Sequence, residues 1–378
     1  MDNYLLMPDS FKGTMDAMTV CRVIKQSLLE RRPQAAVRAV PMADGGEGTV
    51  DCLLTALGGE RKTCIVSGPD GRSIESFYGV CAADGRAAGE KLAVIEMAAA
   101  AGFDSTGKFR DPSSATTYGV GQLMRDAIEN GCRHLVLGLG GSCSNDGGAG
   151  MAAALGAVFS DRDGRAFLPC GKTLSRIAAI DTSALKKLLD GVRITLMSDI
   201  DNPLYGPQGA AMMFAPQKGA DAAMTKMLDK QLRIYADILR EQLHVEVDRL
   251  AGGGAAGGLG AGAYAFLGVK PRQGIDVMLD VVDFEHLAPQ FDVILTGEGC
   301  LDSQSLGGKA VIGIARRAAP LGIPVIAVVG RMKGDRNRYL HAGIQAIWQT
   351  EPRGGYVPQE GEAPDYQKAL ADTIRRCL

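Results

Sequence analysis

The apolar positions of this chain change period in a repeating order. Asn3 to Pro8 is a short apolar run that predicts a buried strand, and it stops at Asp9-Ser10-Phe11-Lys12-Gly13. From about Met15 to Arg32 the apolar residues recur as Ala17, Cys21, Ile24 and Leu28. That 4-3-4 spacing predicts a helix, with Thr14 as N-cap and Pro33 as stop. Ala35 to Met42 predicts a second strand. Val50, Leu53, Leu54 and Leu57 then predict a short amphipathic helix closed by Gly58-Gly59. Strand, loop and helix thus come twice over, the opening of a doubly wound sheet.

The grammar changes after Gly59. Arg61–Val66 and Arg72–Val80 flank Gly68-Pro69-Asp70-Gly71, which predicts an antiparallel hairpin. Further on, the pattern predicts a helix over Thr116–Asn130, strands at His134–Gly138 and Ile194–Ser198, and a long helix over Met224–Leu243. Gly252–Gly262 holds seven glycines in eleven residues, a signature of either a hinge or a close-packed surface. From Phe291 the simple α/β order returns, with a strand at Asp292–Thr296, a helix at Gly308–Ala319 and a strand at Pro324–Val329. The expected fold is α/β in two domains. Residues 1–65 and 286–378 form a discontinuous, Rossmann-like doubly wound domain, and residues 66–285 form an inserted second α/β domain. A ligand cleft is the usual consequence of such an arrangement.

Five of the apolar runs end in loops of glycine and carboxylate. Besides Asp9–Gly13 these are Asp44-Gly45-Gly46-Glu47-Gly48, the Gly140–Gly148 segment, Ser198-Asp199-Ile200-Asp201-Asn202, and Thr296–Asp302. In open α/β sheets ligands bind at the carboxyl ends of strands. Glycine lets backbone N–H groups close on a phosphate, and acidic side chains there hold Mg²⁺ or take a proton. With Lys12 and Lys309 beside them, these loops read as a site for phosphoryl transfer. Each residue also has a plainer reading. Lys12 could be a solvated lysine, Asp44 and Glu47 caps of the next helix, and Asn145-Asp146-Gly147-Gly148 a turn. Pro203 makes a turn the rival account of Asp199, Asp201 and Asn202.

Composition narrows the class. The chain has 378 residues, enough for two domains, and 46% hydrophobic content against 5% aromatic. Its 50 glycines cluster in loops without a period. A net charge of −2 with no basic cluster offers no footprint for nucleic acid or an anionic membrane. Nine scattered cysteines without a C-x-x-C pair read as reduced thiols. No apolar stretch reaches bilayer length, and the expected location is the cytoplasm.

Several motifs fail on inspection. Ala166–Thr173 mimics a P-loop, but Phe167, Leu168 and Pro169 occupy its variable positions. Gly102–Lys108 lacks the following hydroxyl that would bind Mg²⁺. A single glycine in Asp9–Gly13 excludes a dinucleotide fingerprint. The four histidines, His134, His244, His286 and His341, lie outside the loops and read as structural.

Taken in order, these motifs resemble those of the bacterial glycerate kinases of the type that phosphorylates the 2-hydroxyl. The resemblance rests on Asp9–Gly13, Asp44–Thr49, Gly141–Gly150, Asp199–Leu204 and Gly297–Gln304, with Thr117-Tyr118-Gly119, Phe214–Gly219 and Gly254–Gly260 between them. It covers nearly the whole chain. Cys143 and Ser144 stand where Ala and Thr are usual, Val120 replaces a Thr, and Cys300 replaces a basic residue. The resemblance implies a two-domain α/β fold with a Rossmann-like half, ATP as donor, Mg²⁺, and D-glycerate as acceptor. Under it Asp44 is the expected base with Asp146 second, and Lys12 and Lys309 neutralise the transferred group. Asp199, Glu298 and Asp302 are the expected metal residues. Asp9, Ser10, Gly45, Gly46, Glu47, Gly140, Gly141, Ser142, Asn145 and Asn202 are the expected substrate and phosphate residues. Asp44, Asp146, Asp199 and Glu298 are expected to line one cleft. A 3-phosphoglycerate product, or a non-catalytic sugar-acid-binding protein, are the alternatives. The partners are the small substrate and ATP, and a homo-oligomer is compatible with the sequence.

Overall fold

The computed structural model describes residues 3–81, 90–103, 110–303, 305–350 and 365–378. In chain order the strands are β1 (Asn3–Pro8), β2 (Ala36–Ala39), β3 (Glu60–Ser67), β4 (Ser73–Cys81), β5 (Lys91–Glu96) and β6 (Cys132–Gly138). They continue as β7 (Val158–Ser160), β8 (Ala179–Asp181), β9 (Arg193–Met197), β10 (Pro271–Arg272), β11 (Val293–Leu301), β12 (Val325–Met332) and β13 (Ala346–Gln349). The molecule is α/β. It separates into two compact units, one of Met1–Asp44, Asp51–Gly58 and Gln273–Leu378, the other of Gly45–Val50 and Gly59–Arg272.

The first unit carries a five-stranded sheet in the order β13-β12-β11-β1-β2, parallel at every pairing. Parallel strands buried on both faces read as continuous apolar runs, as Leu5, Leu6 and Met7 of β1 do; all three are wholly buried. Helix Ala17–Arg31 lays Val20, Ile24 and Leu28 on that core, joined by Leu370 and Ile374 of helix Tyr366–Cys377. Its N-cap is Asp16, which accepts from Thr19 N–H, and not Thr14. Phe11 and Met15 pair as an isolated bridge across a turn at residues 12–14, so the chain is not yet helical where the sequence predicts helix. The Thr14 hydroxyl instead donates to the carbonyl of Phe11.

From β1 the chain crosses to β2 on one side, and from β11 it passes to β12 and β13 on the other. The strand order therefore reverses between β1 and β11, a topological switch point. Strand β11 also runs further than Asp292–Thr296, continuing to Leu301 because β12 stays paired with it through Leu301↔Met332. Glu298 is thus a strand residue and not a loop residue.

The second unit carries a six-stranded sheet, β10-β9-β6-β5-β4-β3, with β3, β4 and β5 antiparallel and the rest parallel. Strand β3 pairs with β4 along its whole length, so residues 60–65 belong to this sheet. Helices Tyr118–Glu129, Ala149–Leu155, Ala222–Leu243 and Ala255–Leu267 pack on one large core. The glycine-rich segment belongs to that core and is a close-packed surface. Gly257 has φ +66°, and a Cβ there would sit 2.0 Å from the carbonyl oxygen of Ser144.

The mimic at Ala166–Thr173 follows a turn, with Asp161 N–H on the carbonyl of Arg165, and leads into a 3-10 helix at Gly171–Arg176. Residues 104–108 of the other mimic lie outside the described residues. His134 bonds Thr195 and Arg193, His286 bonds Asp283, and His341 meets the carbonyl of Asn337. His244 ends the long helix with φ 57°. Among the described residues no helix is long and apolar enough to cross a membrane.

Candidate active site

The switch point of the first unit gathers seven of the expected residues. Asp9, Ser10 and Lys12 follow β1, Asp44 follows β2, Glu298 lies in β11, Asp302 follows it, and Lys309 is the N-cap residue of helix Ala310–Ala318. The two strand ends are held together by backbone. Asp9 N–H donates to the carbonyl of Gly297 at 2.9 Å. A Cβ on Gly299 would lie 3.1 Å from the Cα of Phe11, so β11 packs tightly against the chain that follows β1.

Charge alternates across this site. Lys12 Nζ donates to Asp44 Oδ2 at 3.3 Å, and both side chains remain open to solvent, 75% and 44% exposed. Such a pair contributes little to stability. The Asp9 carboxyl is raised to about 6, first by burial and further by the Asp44 charge, while the Ser10 amide and Lys12 act the other way. Glu298 is raised to about 7 by burial, with Asp9 and Asp302 adding to the effect and Ser305 and Lys309 opposing it. Its Oε1 is buried without a hydrogen-bond partner. A carboxylate oxygen in that state favours either a proton or a cation. Cys300, which stands where the resemblance puts a basic residue, has Arg331 of β12 as its register partner.

The second unit holds the remaining expected residues in a different manner. Gly140 N–H donates to the carbonyl of Gly45 at 3.0 Å, and a Cβ on Gly140 would lie 2.6 Å from the Cα of Gly46. The two glycine turns therefore pack backbone against backbone, with Glu47 exposed beside them. Asp146 is completely buried. Its Oδ2 accepts from Thr117 N–H at 2.7 Å, the Thr117 hydroxyl at 2.8 Å and Gly150 N–H at 3.2 Å, and its Oδ1 accepts from Gly148 N–H at 3.1 Å. Burial raises its carboxyl and these four hydrogen bonds oppose the rise. Gly141 and the neighbouring Ser142 belong to the same loop, and Ser142 Oγ receives Lys218 Nζ at 2.8 Å. Asn145 is buried with neither polar side-chain atom hydrogen-bonded. Asp199 is exposed at the end of β9, and Asn202 Nδ2 donates to the carbonyl of Gln208.

Glu96 carried no expectation from the sequence, and Thr117 and Lys218 stood in motifs of the resemblance without an assigned role. Glu96 ends β5 and its Oε1 accepts from Val50 N–H at 2.8 Å, capping the first turn of helix Thr49–Leu57. A carboxylate closing an apolar run is the signal that marked Asp9 and Asp44, and it is present in Leu92–Glu96. Thr117 and Lys218 had no such signal. Their importance arises from contacts with residues 29 and 74–76 positions away.

A model of the glycerate kinase family matches residues 4–376. The chain is 40% identical to the glycerate kinase of Bacillus subtilis over 374 residues, covering 98% of this chain and 96% of that protein. It is 39% identical to the glycerate 2-kinase of Escherichia coli over 347 residues, covering 92% and 90%. A crystal structure of a putative glycerate kinase 2 from Salmonella typhimurium matches with a TM-score of 0.85 at 38% identity, over 100% of this chain and 96% of that one.

Proposed function

The chain belongs to the glycerate kinase family, and on that premise we propose that it transfers the γ-phosphoryl group of ATP to the 2-hydroxyl of D-glycerate. The products are 2-phosphoglycerate and ADP. The observation that carries the reading of the site is the switch point between β1 and β11, where alternating carboxylates and lysines stand at the ends of parallel strands.

Phosphoryl transfer asks a protein for positioning and charge neutralisation more than for covalent chemistry. Asp44 accepts the proton of the attacking hydroxyl. As the new P–O bond forms, the bond to the leaving ADP oxygen breaks, and Lys12 and Lys309 meet the charge that spreads over the transferred group. Lys12 also fixes the direction of the Asp44 carboxylate through their 3.3 Å contact. Asp9 and Ser10 form the turn that presents Lys12. The Gly140–Gly150 backbone, with Gly45 and Gly46 packed on it, receives phosphate oxygens. Within it Asp146, enclosed by its four donors, holds the loop shape and leaves the proton transfer to Asp44. Asn202 orients a substrate group beside these turns, and the buried Asn145 lies within the loop.

Mg²⁺ takes one or two protein carboxylates and completes its shell with water and phosphate. Among the described residues no three His, Cys, Asp or Glu side chains converge as an all-protein metal site. The unpartnered Oε1 of Glu298, with Asp302 nearby in charge, fits the lesser requirement. These two would hold the ion; Asp199, the third expected metal residue, is an exposed carboxylate of the six-stranded unit. When bound, the ion neutralises the phosphate charge.

The test is direct. Purified protein with Mg²⁺ and ATP should consume ATP only when D-glycerate is added. The phosphorus resonance of the product should be split into a doublet by the single proton on C2. A triplet would assign the 3-hydroxyl, and ATP consumption indifferent to glycerate would sink the reading.

A further inference from the structure

Lys218 lies at the end of the 3-10 turn Pro216–Lys218 and is 2% exposed. Its Nζ donates to Ser142 Oγ at 2.8 Å and to the carbonyl of Ser144 at 2.7 Å. Both acceptors are neutral. A buried ammonium without a bonded carboxylate costs stability, because neutral oxygens do not replace its hydration. The same loop and the helix Ala222–Leu243 carry other expensive groups. Ser144 Oγ, both polar side-chain atoms of Asn145, and the hydroxyl of Tyr235 are buried without hydrogen-bond partners. Proteins accept such local violations chiefly at functional sites.

We propose that Lys218 is a positioning residue for phosphoryl transfer: its ammonium clamps the Ser142–Ser144 segment of the glycine loop and sets a positive charge behind the backbone that receives phosphate. The proposal rests on the reading of Gly140–Gly150 as the phosphate seat. Two hydrogen bonds from one ammonium, spanning two residues of loop, fix the carbonyl of Ser144 inward. A neutral side chain of the same length could pack there but could not make both bonds. The titratable groups facing Lys218 are Cys143 and Asp146, both from the loop, and Tyr235 faces Asp146 from helix Ala222–Leu243. Gly219 next to it packs on the backbone of Arg110.

Burial pushes the Lys218 ammonium down to about 8, against the opposing pull of Cys143 and Asp146. The clamp is therefore charged at neutral pH and is lost as pH rises through about 8. The folded state binds fewer protons here than the unfolded chain between about 8 and the ordinary lysine value. The stability penalty of the buried charge is present below that window and relieved within it.

The test compares Lys218→Met and Lys218→Arg with the wild type, by steady-state kinetics across pH and by thermal melts. Lys218→Met should lower kcat/KM for ATP by roughly 10²-fold, the size of a lost electrostatic donor in other active sites, while Tm holds or rises. The wild type should lose kcat/KM for ATP above pH ~8, and this limb should be absent from the Met variant. Lys218→Arg should restore part of the activity and move the limb upward. Where arginine is too large to fold in place, the missing limb in the Met variant still decides. Activity of the Met variant close to wild type would overturn the proposal. So would an activity loss that merely follows a fall in Tm, since that is what a structural lysine would give. A rise confined to KM for D-glycerate would also overturn it, because phosphate would then not be the loop's ligand. A wild type that does not turn over ATP with glycerate would instead be a failure of the functional reading itself.

Discussion

Asp44 in the five-stranded unit and Asp146 in the six-stranded unit both follow an apolar strand and precede a glycine turn, yet their surroundings differ in kind. Asp44 faces one lysine across 3.3 Å, with 44% of its side chain exposed. Asp146 has no exposure and accepts four hydrogen bonds, three of them from backbone amides. A carboxylate with solvent access can take a proton from a substrate. One whose lone pairs are filled by its own loop and by Thr117 ties the loop to the helix beside it. The first unit thus carries a solvent-open carboxylate beside a lysine, and the second a carboxylate enclosed in its own fold.

Asp44→Asn is the largest test of that contrast. It should lower kcat by about 10³-fold, within the range of a removed general base, with Tm unchanged in a thermal melt. Full activity in this variant would move the base elsewhere. Lys12→Met should follow with a loss of roughly 10²-fold in kcat, equivalent to ~2.7 kcal/mol of transition-state stabilisation. Its Tm should also hold, because an exposed ion pair adds little. If KM for D-glycerate rose while kcat stayed constant, Lys12 would be a uniform binder of the carboxylate.

Asp146→Asn reverses the pattern and should be read first in stability. The amide nitrogen must replace one oxygen, and it fits least badly at Oδ1, where it opposes the Gly148 N–H. That leaves a buried donor unanswered, at a cost of ~1–3 kcal/mol, seen as a lower melting temperature. An unchanged Tm with abolished turnover would make Asp146 chemical after all and erase the contrast. The smallest effect concerns Asp9. Its carboxyl is raised to about 6 in the fold, so the folded state holds its proton longer than the unfolded chain. Stability contributed by that proton is present below the ordinary Asp value and is lost as pH rises through about 6. For a part-exposed group the total change should amount to about 1–2 kcal/mol. Urea midpoints measured across that range should fall in the wild type and fall less in Asp9→Asn, where Glu298, raised to about 7, still titrates.

Local pattern determined much of this protein. The strand at Asn3–Pro8 is found with the bounds its apolar run predicts, and the helix at Ala222–Leu243 within two residues of them. The glycine and carboxylate turns were legible because glycine and charge cannot continue a buried strand. So was the family, since its motifs occur in order along nearly the whole chain. Tertiary structure decided the rest. Thr14 and Asp16 are both competent caps, and the bridge between Phe11 and Met15 selects Asp16. Glu298 reads as a loop residue until β12 extends to pair with β11. The glycine-rich segment could have been a hinge, and the backbone of Ser144 lying against Gly257 makes it core. Nothing near Lys218 in sequence announces that its ammonium will be buried. That role exists only because Ser142 and Ser144, more than 70 residues earlier, present oxygens where its side chain ends. Periodicity and turn chemistry are local properties that a sequence displays. Burial, pairing and the environment of a charge are sums over distant residues, and only the folded chain brings those residues together.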